Sequence, residues 1–221
     1  MADYLNLIPP SDRLLLADYV TVPHLALRRC SVSDDHFASS RRLSDLALQV
    51  KHDRCNEMII WAKPGECVVH EQLVSEMKQR NITGYRLRAA TVRFRGGYLS
   101  KDYQELVVVG WAGVAPPESG IHLLKSCPAC QWRKYSGLTN ADELIDWGQW
   151  TGEDFFMVWP LPLFILITER VRGLLHDLDA KSYSTRRLGR AGIDGFYVGP
   201  LSDCMPKDLA KKYGPPLGLG E

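Results

Sequence analysis

The sequence predicts an α+β protein in which mixed and antiparallel sheets pack against a few helices. Short apolar runs are typical of buried strands, two stretches alternate apolar and basic residues, and two segments carry the apolar stripe of an amphipathic helix. The chain has 221 residues, 45% of them hydrophobic and 24% charged. These are ordinary values for a globular protein, and a chain of this length can bury enough surface to fold without a staple.

The first well-defined elements lie between residues 58 and 95. We predict, in chain order, a buried strand, a turn, a helix and two half-buried strands: Met58–Trp61, Pro64–Gly65, Glu66–Arg80, Gly84–Arg88 and Thr91–Arg95. The helix is predicted because Val69, Leu73 and Met77 recur every four residues.

The second half repeats part of this pattern. We predict strands and one helix at Glu105–Trp111, Ile121–Leu124, Leu163–Ile167, Glu169–Leu178 (the helix) and Ser182–Leu188. Thr168 is a suitable N-cap for the helix. Strand, helix and strand therefore follow one another at 58–95 and again at 163–188. This succession favours one domain over 1–199, with 1–117 and 118–199 as two similar candidate lobes.

The two ends of the chain predict less. The segment Arg41–Lys51 fits a short helix loosely, Ser31–Ser40 is polar like a loop, and Leu14–Val20 fits either a helix or a strand. The tail 200–221 is rich in proline and glycine, so we expect it to be extended.

Composition and segment length bear on the kind of partner. A formal net charge of +1 gives no overall field toward nucleic acid or an anionic membrane. The longest apolar run, Phe155–Ile167, contains two prolines and is shorter than the roughly 20 residues of a membrane helix. Residues Met1–Asn6 lack the basic start of a secretory signal. With six irregularly spaced cysteines, these features predict reduced thiols and a cytoplasmic location.

Cys127 and Cys130 form the sharpest local motif, a CxxC pair that could supply half of a tetrahedral zinc site. No second CxxC follows, and the remaining candidate ligands are Cys30, Cys55, Cys67, Cys204 and His122. Three interpretations stay open: a metal-free turn, a zinc site or a redox pair. We expect that no cofactor is required.

Catalytic signatures are missing from the sequence. It contains no GxSxG, HExxH, Walker loop or GxGxxG motif, and its six histidines are scattered. No acid–base pair is indicated. The sequence therefore predicts a binding protein and not an enzyme.

The segment Thr139–Glu169 combines six acidic residues with large aromatic rings and contains no lysine or arginine. Rings supply buried area at protein interfaces and carboxylates supply electrostatic steering. We predict a partner-binding surface made of Asp142, Glu143, Asp146, Trp147, Trp150, Glu153 and Asp154. The alternative is that the rings are core and the carboxylates only solvate the loop.

Four stretches carry a family resemblance: Glu71–Arg88, Ala90–Gly96, Ser126–Cys130, and Asp154–Phe156 leading through Leu163 to Arg170. In this order they resemble the double-CXXCG motif family, best known from myxobacteria, over roughly residues 58–190. The chain departs from the family pattern because the first CXXCG is absent and Gln131 replaces the glycine of the second.

The resemblance implies a role. Members of that family include immunity proteins for swarming-inhibition toxins, so the resemblance implies a protein that binds and neutralises a cognate bacterial toxin, and we expect a toxin of nuclease type. On this hypothesis the acidic segment covers the cationic substrate groove of the toxin, and neither a membrane nor nucleic acid is a partner. The alternative function is a zinc-knuckle nucleic-acid-binding or regulatory protein. The sequence leaves the oligomeric state open.

Overall fold

The computed structural model describes residues 4–11, 16–20, 25–26, 30–36, 41–42, 44–51, 57–188 and 195–198. Their strands and helices are, in chain order, β1 (Tyr4–Ile8), β2 (Asp18–Tyr19), β3 (Leu25–Ala26), β4 (Arg41–Arg42), β5 (Leu46–Gln49), β6 (Ile59–Lys63), β7 (Glu66–His70), α1 (Glu71–Gln79), β8 (Tyr85–Arg93), β9 (Leu99–Ser100), β10 (Tyr103–Val108), β11 (Gly110–Val114), β12 (Leu123–Ser126), β13 (Arg133–Tyr135), β14 (Phe155–Trp159), β15 (Ile165–Thr168), α2 (Glu169–Asp177), β16 (Ser184–Arg186) and β17 (Phe196–Val198). The predicted α+β class is confirmed.

The strands lie in two larger and two smaller sheets. The five-stranded sheet has the order β11-β14-β15-β1-β16, and the seven-stranded sheet has the order β2-β5-β8-β10-β7-β6, with β9 beside β8. The small sheets are β12-β13-β17 and β3-β4. Parallel pairing joins β5 to β8 and β11 to β14, while the other pairs of strands are antiparallel. The sheets are therefore mixed and antiparallel, as predicted.

Each larger sheet contains the same supersecondary unit. In one, the hairpin β6–β7 leads through α1 to β8, and β10 pairs antiparallel with both β7 and β8. In the other, β14–β15 leads through α2 to β16, and β1 pairs antiparallel with both β15 and β16. Both are split β-α-β arrangements. The repeated strand–helix–strand pattern is thus present, and its two copies lie in different sheets.

The two helices also end in the same way. Each has nine residues, and the residue after each C-cap, Asn81 or Asp179, has φ of 50°. The following N–H then donates to a carbonyl of the last helical turn, at 2.9 Å for Ile82 and 3.0 Å for Ala180. This left-handed cap with a backward hydrogen bond satisfies carbonyls that the helix itself leaves free.

Both helices pack into one hydrophobic cluster that also takes side chains from both larger sheets. Its fully buried members include Met77 of α1, Leu174 of α2 and Trp61 of β6. The indole N–H of Trp61 donates to the carbonyl oxygen of Ser182 at 2.9 Å, which joins the two units. A second cluster covers the other face of the five-stranded sheet, where Phe156 and Trp159 lie under the segment 115–150.

The structure corrects two predicted helices. Residues 66–70 are the strand β7, so α1 begins only at Glu71; Val68 and Val69 point to opposite faces of the sheet and both are buried. Within Arg41–Lys51 the structure has β4 and β5, because the apolar side chains of β5 alternate in burial and the strand pairs with β8.

Other boundaries differ by smaller amounts. The two strands predicted between 84 and 95 are the single strand β8, and the strand predicted at Glu105–Trp111 is divided into β10 and β11. The tail 200–221 lies outside the described residues, as do parts of the predictions for Leu14–Val20 and Ser31–Ser40. Among the described helices, none has both the length and the hydropathy to cross a membrane.

Candidate functional site

Cys127 and Cys130 lie on a tight turn between the antiparallel strands β12 and β13. The N–H of Gln131 donates to the carbonyl oxygen of Cys127 at 2.8 Å, and the N–H of Cys127 donates to the carbonyl oxygen of Trp132 at 2.8 Å. These bonds fold the backbone so that both thiols point to one side. We call this turn, residues 127–132, the knuckle.

The backbone of Gln131 explains the glycine of a CXXCG motif. Gln131 has φ of 59°, in the left-handed region that glycine enters without steric penalty. A glutamine there costs about 1–2 kcal/mol relative to its preferred conformations. The turn keeps its shape although this chain lacks the glycine.

A segment distant in sequence brings two further ligands to the knuckle. Cys30 and His36 join Cys127 and Cys130 in a cluster whose four ligand atoms all lie within 4.8 Å of one another. Cys30 Sγ is 3.7 Å from Cys127 Sγ and 3.3 Å from His36 Nδ1, which in turn is 3.7 Å from Cys130 Sγ. We call these four residues the Cys–His cluster.

The surroundings hold the cluster in place. The imidazole of His36 stacks on Trp132, with ring centroids 4.4 Å apart and an interplanar angle of 12°. Cys127 and Cys130 are each only 4% exposed, whereas Cys30 and His36 are half-buried. The cluster therefore has a buried side formed by the knuckle and an outer side formed by residues 30–36.

The thiols differ in acidity. A hydrogen bond from the N–H of Val32 to Cys30 Sγ, at 3.3 Å, is the main cause that lowers the pKa of Cys30 to about 6. Burial raises the pKa of Cys130 to about 11. A cation bound between the thiols would favour the thiolate form of both. Three sulfurs and one imidazole nitrogen are a donor set that could hold a metal ion.

Among the candidate ligands named from sequence, Cys30 joins the cluster and two others do not. Cys67 is buried in the core shared by the helices, where burial raises the pKa of its thiol. His122 is exposed, and its backbone N–H donates to Ser136. Cys55 and Cys204 lie outside the described residues. His36 was not predicted; its spacing from Cys30, six positions along the chain, is close to that of known zinc-ligand pairs and is the signal that could have found it.

A groove lies beside the Cys–His cluster. Its volume is about 480 Å³, and it is lined by Ser33, Asp35, His36, Lys125, Trp132, Lys134 and Tyr197. Trp132 stacks on Tyr197 as well as on His36, with centroids 5.1 Å apart. The ammonium of Lys134 lies 5.5 Å from the centroid of the Tyr197 ring.

The predicted partner-binding surface is only partly exposed. Asp142 and Glu143 are exposed on the short 3-10 helix Ala141–Glu143. Asp146 is half-buried, and its carboxylate accepts hydrogen bonds from the N–H of Gly148 at 3.0 Å and from Gln149 Nε2 at 2.7 Å. Glu153 is half-buried beside the hydroxyl of Thr151. Asp142 and Glu143 are therefore the two exposed carboxylates of the predicted partner-binding surface.

Trp147 and Trp150, which we predicted to belong to the partner-binding surface, are not fully exposed. Both are half-buried and pack against the hydrophobic cluster on the outer face of the five-stranded sheet. Their rings meet edge to face with centroids 5.4 Å apart, and Trp150 lies 5.7 Å from Phe156. The rings cover the core below the acidic segment, because a large apolar ring has a lower free energy there than in water.

The prediction that Asp154 lies on the partner-binding surface also needs correction, because the residue is only 2% exposed. Its carboxylate accepts from Arg170 Nη1 at 2.8 Å and 3.1 Å, from the N–H of Thr83 at 3.0 Å and from the hydroxyl of Thr168 at 2.8 Å. It therefore joins the start of β14 to the turn after α1 and to the start of α2, and does not belong to an exposed surface.

Comparison of the sequence with protein-family models finds no match, and comparison with curated proteins finds none either. The resemblance to the double-CXXCG motif family therefore stays a prediction.

Proposed function

We propose that this chain is an immunity protein, which acts in the cytoplasm by binding and neutralising a cognate bacterial toxin and catalyses no reaction. The observation that carries the proposal is the exposure of Asp142 and Glu143 on a segment without any compensating lysine or arginine from residue 139 to residue 169. A nuclease-type toxin needs a cationic groove for its substrate, and exposed carboxylates are complementary to such a groove.

The acidic segment is held in place by a hydrogen bond and by buried side chains. The hydroxyl of Tyr4 donates to the carbonyl oxygen of Ala141 at 2.7 Å, which ties the 3-10 helix to β1. Leu144 and Ile145, which follow directly, are buried in the same cluster as Trp147 and Trp150. A segment held in this way loses little conformational freedom on binding, which favours affinity.

The resemblance to toxin-neutralising proteins points to the same role. A protein that protects a cell from a catalytic toxin has to leave very little of it free. We therefore expect a 1:1 complex with a dissociation constant of about 1 nM or below. On this proposal the Cys–His cluster supports the fold and makes no contact with the toxin.

Co-expression tests the proposal. On this proposal we expect a toxin gene next to the gene for this protein. The toxin domain that it encodes is expressed in a bacterial host with this protein, without it, and with a variant that combines Asp142→Ala and Glu143→Ala. We expect protection and a 1:1 complex with the unchanged chain, and weaker protection with the variant. A host that dies in the presence of the folded chain, with no complex detected by calorimetry at micromolar concentration, would overturn the proposal.

The groove beside the Cys–His cluster favours a second candidate, a zinc-knuckle protein that binds single-stranded nucleic acid. Lys125, Lys134 and the exposed ring of Tyr197 are the residue types that contact phosphates and bases. Two observations disfavour it. Trp132 is only 9% exposed between His36 and Tyr197, so it offers little free ring surface, and Asp35 lies in the same groove. Fluorescence anisotropy with a labelled oligonucleotide at several salt concentrations tests this second candidate, since phosphate contacts make the affinity fall steeply with salt.

A further inference from the structure

We infer that Cys30, His36, Cys127 and Cys130 bind one Zn²⁺ ion as a tetrahedral structural site. This inference is independent of the proposed partner, because it concerns four ligand atoms that already converge within 4.8 Å. The inferred site combines the CxxC pair with a cysteine and a histidine that belong to no CxxC motif.

Three distances between ligand atoms of the cluster are close to those of a zinc tetrahedron. With Zn–S bonds of about 2.3 Å and a Zn–N bond of about 2.0–2.1 Å, tetrahedral geometry places two sulfurs about 3.8 Å apart and a sulfur and a nitrogen about 3.5 Å apart. The Cys30–Cys127 sulfurs are 3.7 Å apart, and His36 Nδ1 is 3.3 Å from Cys30 Sγ and 3.7 Å from Cys130 Sγ. These three distances differ from the tetrahedral values by a few tenths of an ångström, and the other three distances between ligand atoms are at most 4.8 Å.

The chemistry of the ligands selects the metal. Three thiolates and one imidazole favour zinc over magnesium or calcium, which prefer oxygen ligands. Nδ1 is the nitrogen of His36 that faces the thiols, so Nε2 carries the proton when the ion is bound. The N–H of Val32 donates to Cys30 Sγ, the kind of outer contact that stabilises a thiolate ligand.

The site is structural because four protein ligands complete the coordination of the ion. A catalytic zinc site keeps one position for water or substrate, and here every corner of the tetrahedron has a side chain. Cys127 and Cys130 are almost fully buried against Trp132 in a small apolar cluster, so that, among the described residues, the side of Cys30 and His36 is the more open one.

The ion would act as a cross-link between distant segments. Cys30 and Cys127 are 97 positions apart in the chain, and the described contacts of residues 30–36 with the knuckle are the Cys–His cluster and the stacking of His36 on Trp132. A link that closes so long a loop removes much conformational entropy from the unfolded chain. Zinc therefore attaches residues 30–36, which supply Ser33, Asp35 and His36 to the groove, to the β12–β13 hairpin.

Metal analysis and cobalt substitution test the inference on the full chain. Protein purified under reducing conditions without chelator is expected to contain one zinc per chain. The Co²⁺-substituted protein is expected to show the intense visible bands of tetrahedral cobalt and the near-ultraviolet charge-transfer band of thiolate ligands. Loss of an outer contact to a metal ligand lowers affinity about 10–100-fold. Cys30→Ala and His36→Ala each remove a ligand itself and should therefore weaken Co²⁺ affinity by more than this.

Matched variants separate loss of the ligand from loss of the fold. Cys67→Ala removes a buried thiol outside the cluster and should keep full metal content. His36→Cys keeps a ligand where His36→Ala loses one, and should bind the metal through four thiolates. The inference is overturned by a chain that binds less than a tenth of an equivalent of zinc, by cobalt spectra without a thiolate band, or by Cys30→Ala and His36→Ala binding as tightly as the unchanged chain. A disulfide between Cys30 and Cys127 under reducing conditions would overturn it as well.

Discussion

The side chain of Arg170 donates two hydrogen bonds from Nη1 to the carboxylate of Asp154, at 2.8 Å and 3.1 Å. The side chain of Asp154 is 3% exposed and that of Arg170 is 58% exposed, so the pair connects the core with the surface. Arg170 Nη2 also donates to the carbonyl oxygen of Arg80 at 2.7 Å, which connects the start of α2 to the end of α1. This contact links the two split β-α-β units through polar groups, next to the hydrophobic core that they share.

Asp154→Ala should destabilise the fold by about 3 kcal/mol, because it leaves the N–H of Thr83 without its acceptor and removes the ion pair. Urea unfolding followed by circular dichroism measures the effect. Asp142→Ala is the control and should change the free energy of unfolding by less than about 0.5 kcal/mol, since that carboxylate is exposed. Equal effects of the two substitutions would contradict the assignment of Asp154 to the core.

Trp150→Ala should reduce stability by about 2 kcal/mol, because the ring packs on Phe156 and a half-buried tryptophan contributes less than a fully buried one. The same variant, once folded, should associate with the toxin at the rate of the unchanged chain. A variant of full stability that binds the toxin poorly would instead place Trp150 in the interface.

Gln131→Gly should stabilise the protein by about 1 kcal/mol, because glycine adopts the left-handed φ of this position without steric penalty. Thermal unfolding in the presence of zinc measures the gain. Gln104→Gly, in the middle of β10, is the matched control and should lower stability by about 0.5–1 kcal/mol. A loss of stability in Gln131→Gly would mean that the glutamine side chain compensates for the strain.

If the Cys–His cluster binds zinc as inferred, removal of the metal should loosen residues 30–36 before it unfolds the core. We expect a chelator to speed proteolysis within this segment at least about tenfold, which corresponds to about 1.4 kcal/mol in the free energy of local opening. Mass spectrometry of the early fragments locates the cut. His36→Ala should be cut at the fast rate with or without chelator, and a chelator effect that persists unchanged in that variant would place the metal elsewhere.

The repeat of strand, helix and strand could be predicted because apolar periodicity is a local signal. The start of α1 could not be predicted in the same way. Val69, Leu73 and Met77 continue one four-residue repeat across Glu71, so the strand β7 and the helix share one pattern in the sequence. Pairing of β7 with β6 and β10 decides between the two structures, and that contact involves residues distant along the chain.

The candidate sites show the same limit. Cys127 and Cys130 could be recognised because their spacing is local, whereas His36 lies in a polar segment that is 94 positions from Cys130. Asp154 was grouped with exposed carboxylates because the count of charges over 139–169 ends one residue before Arg170, its partner. Trp147 and Trp150 lie between glycines and acids, which indicates a surface loop, but the core below them is formed by strands from elsewhere in the chain.

Stopped-flow association with the toxin tests the central claim most directly. The variant that combines Asp142→Ala and Glu143→Ala should associate about tenfold more slowly than the unchanged chain at low salt, and its rate should depend less on salt. A variant that combines Asp45→Ala and Glu71→Ala removes the same charge from exposed positions elsewhere and should keep the original rate. Equal association rates and equal salt dependence for all three proteins would contradict the claim that the acidic segment meets the partner.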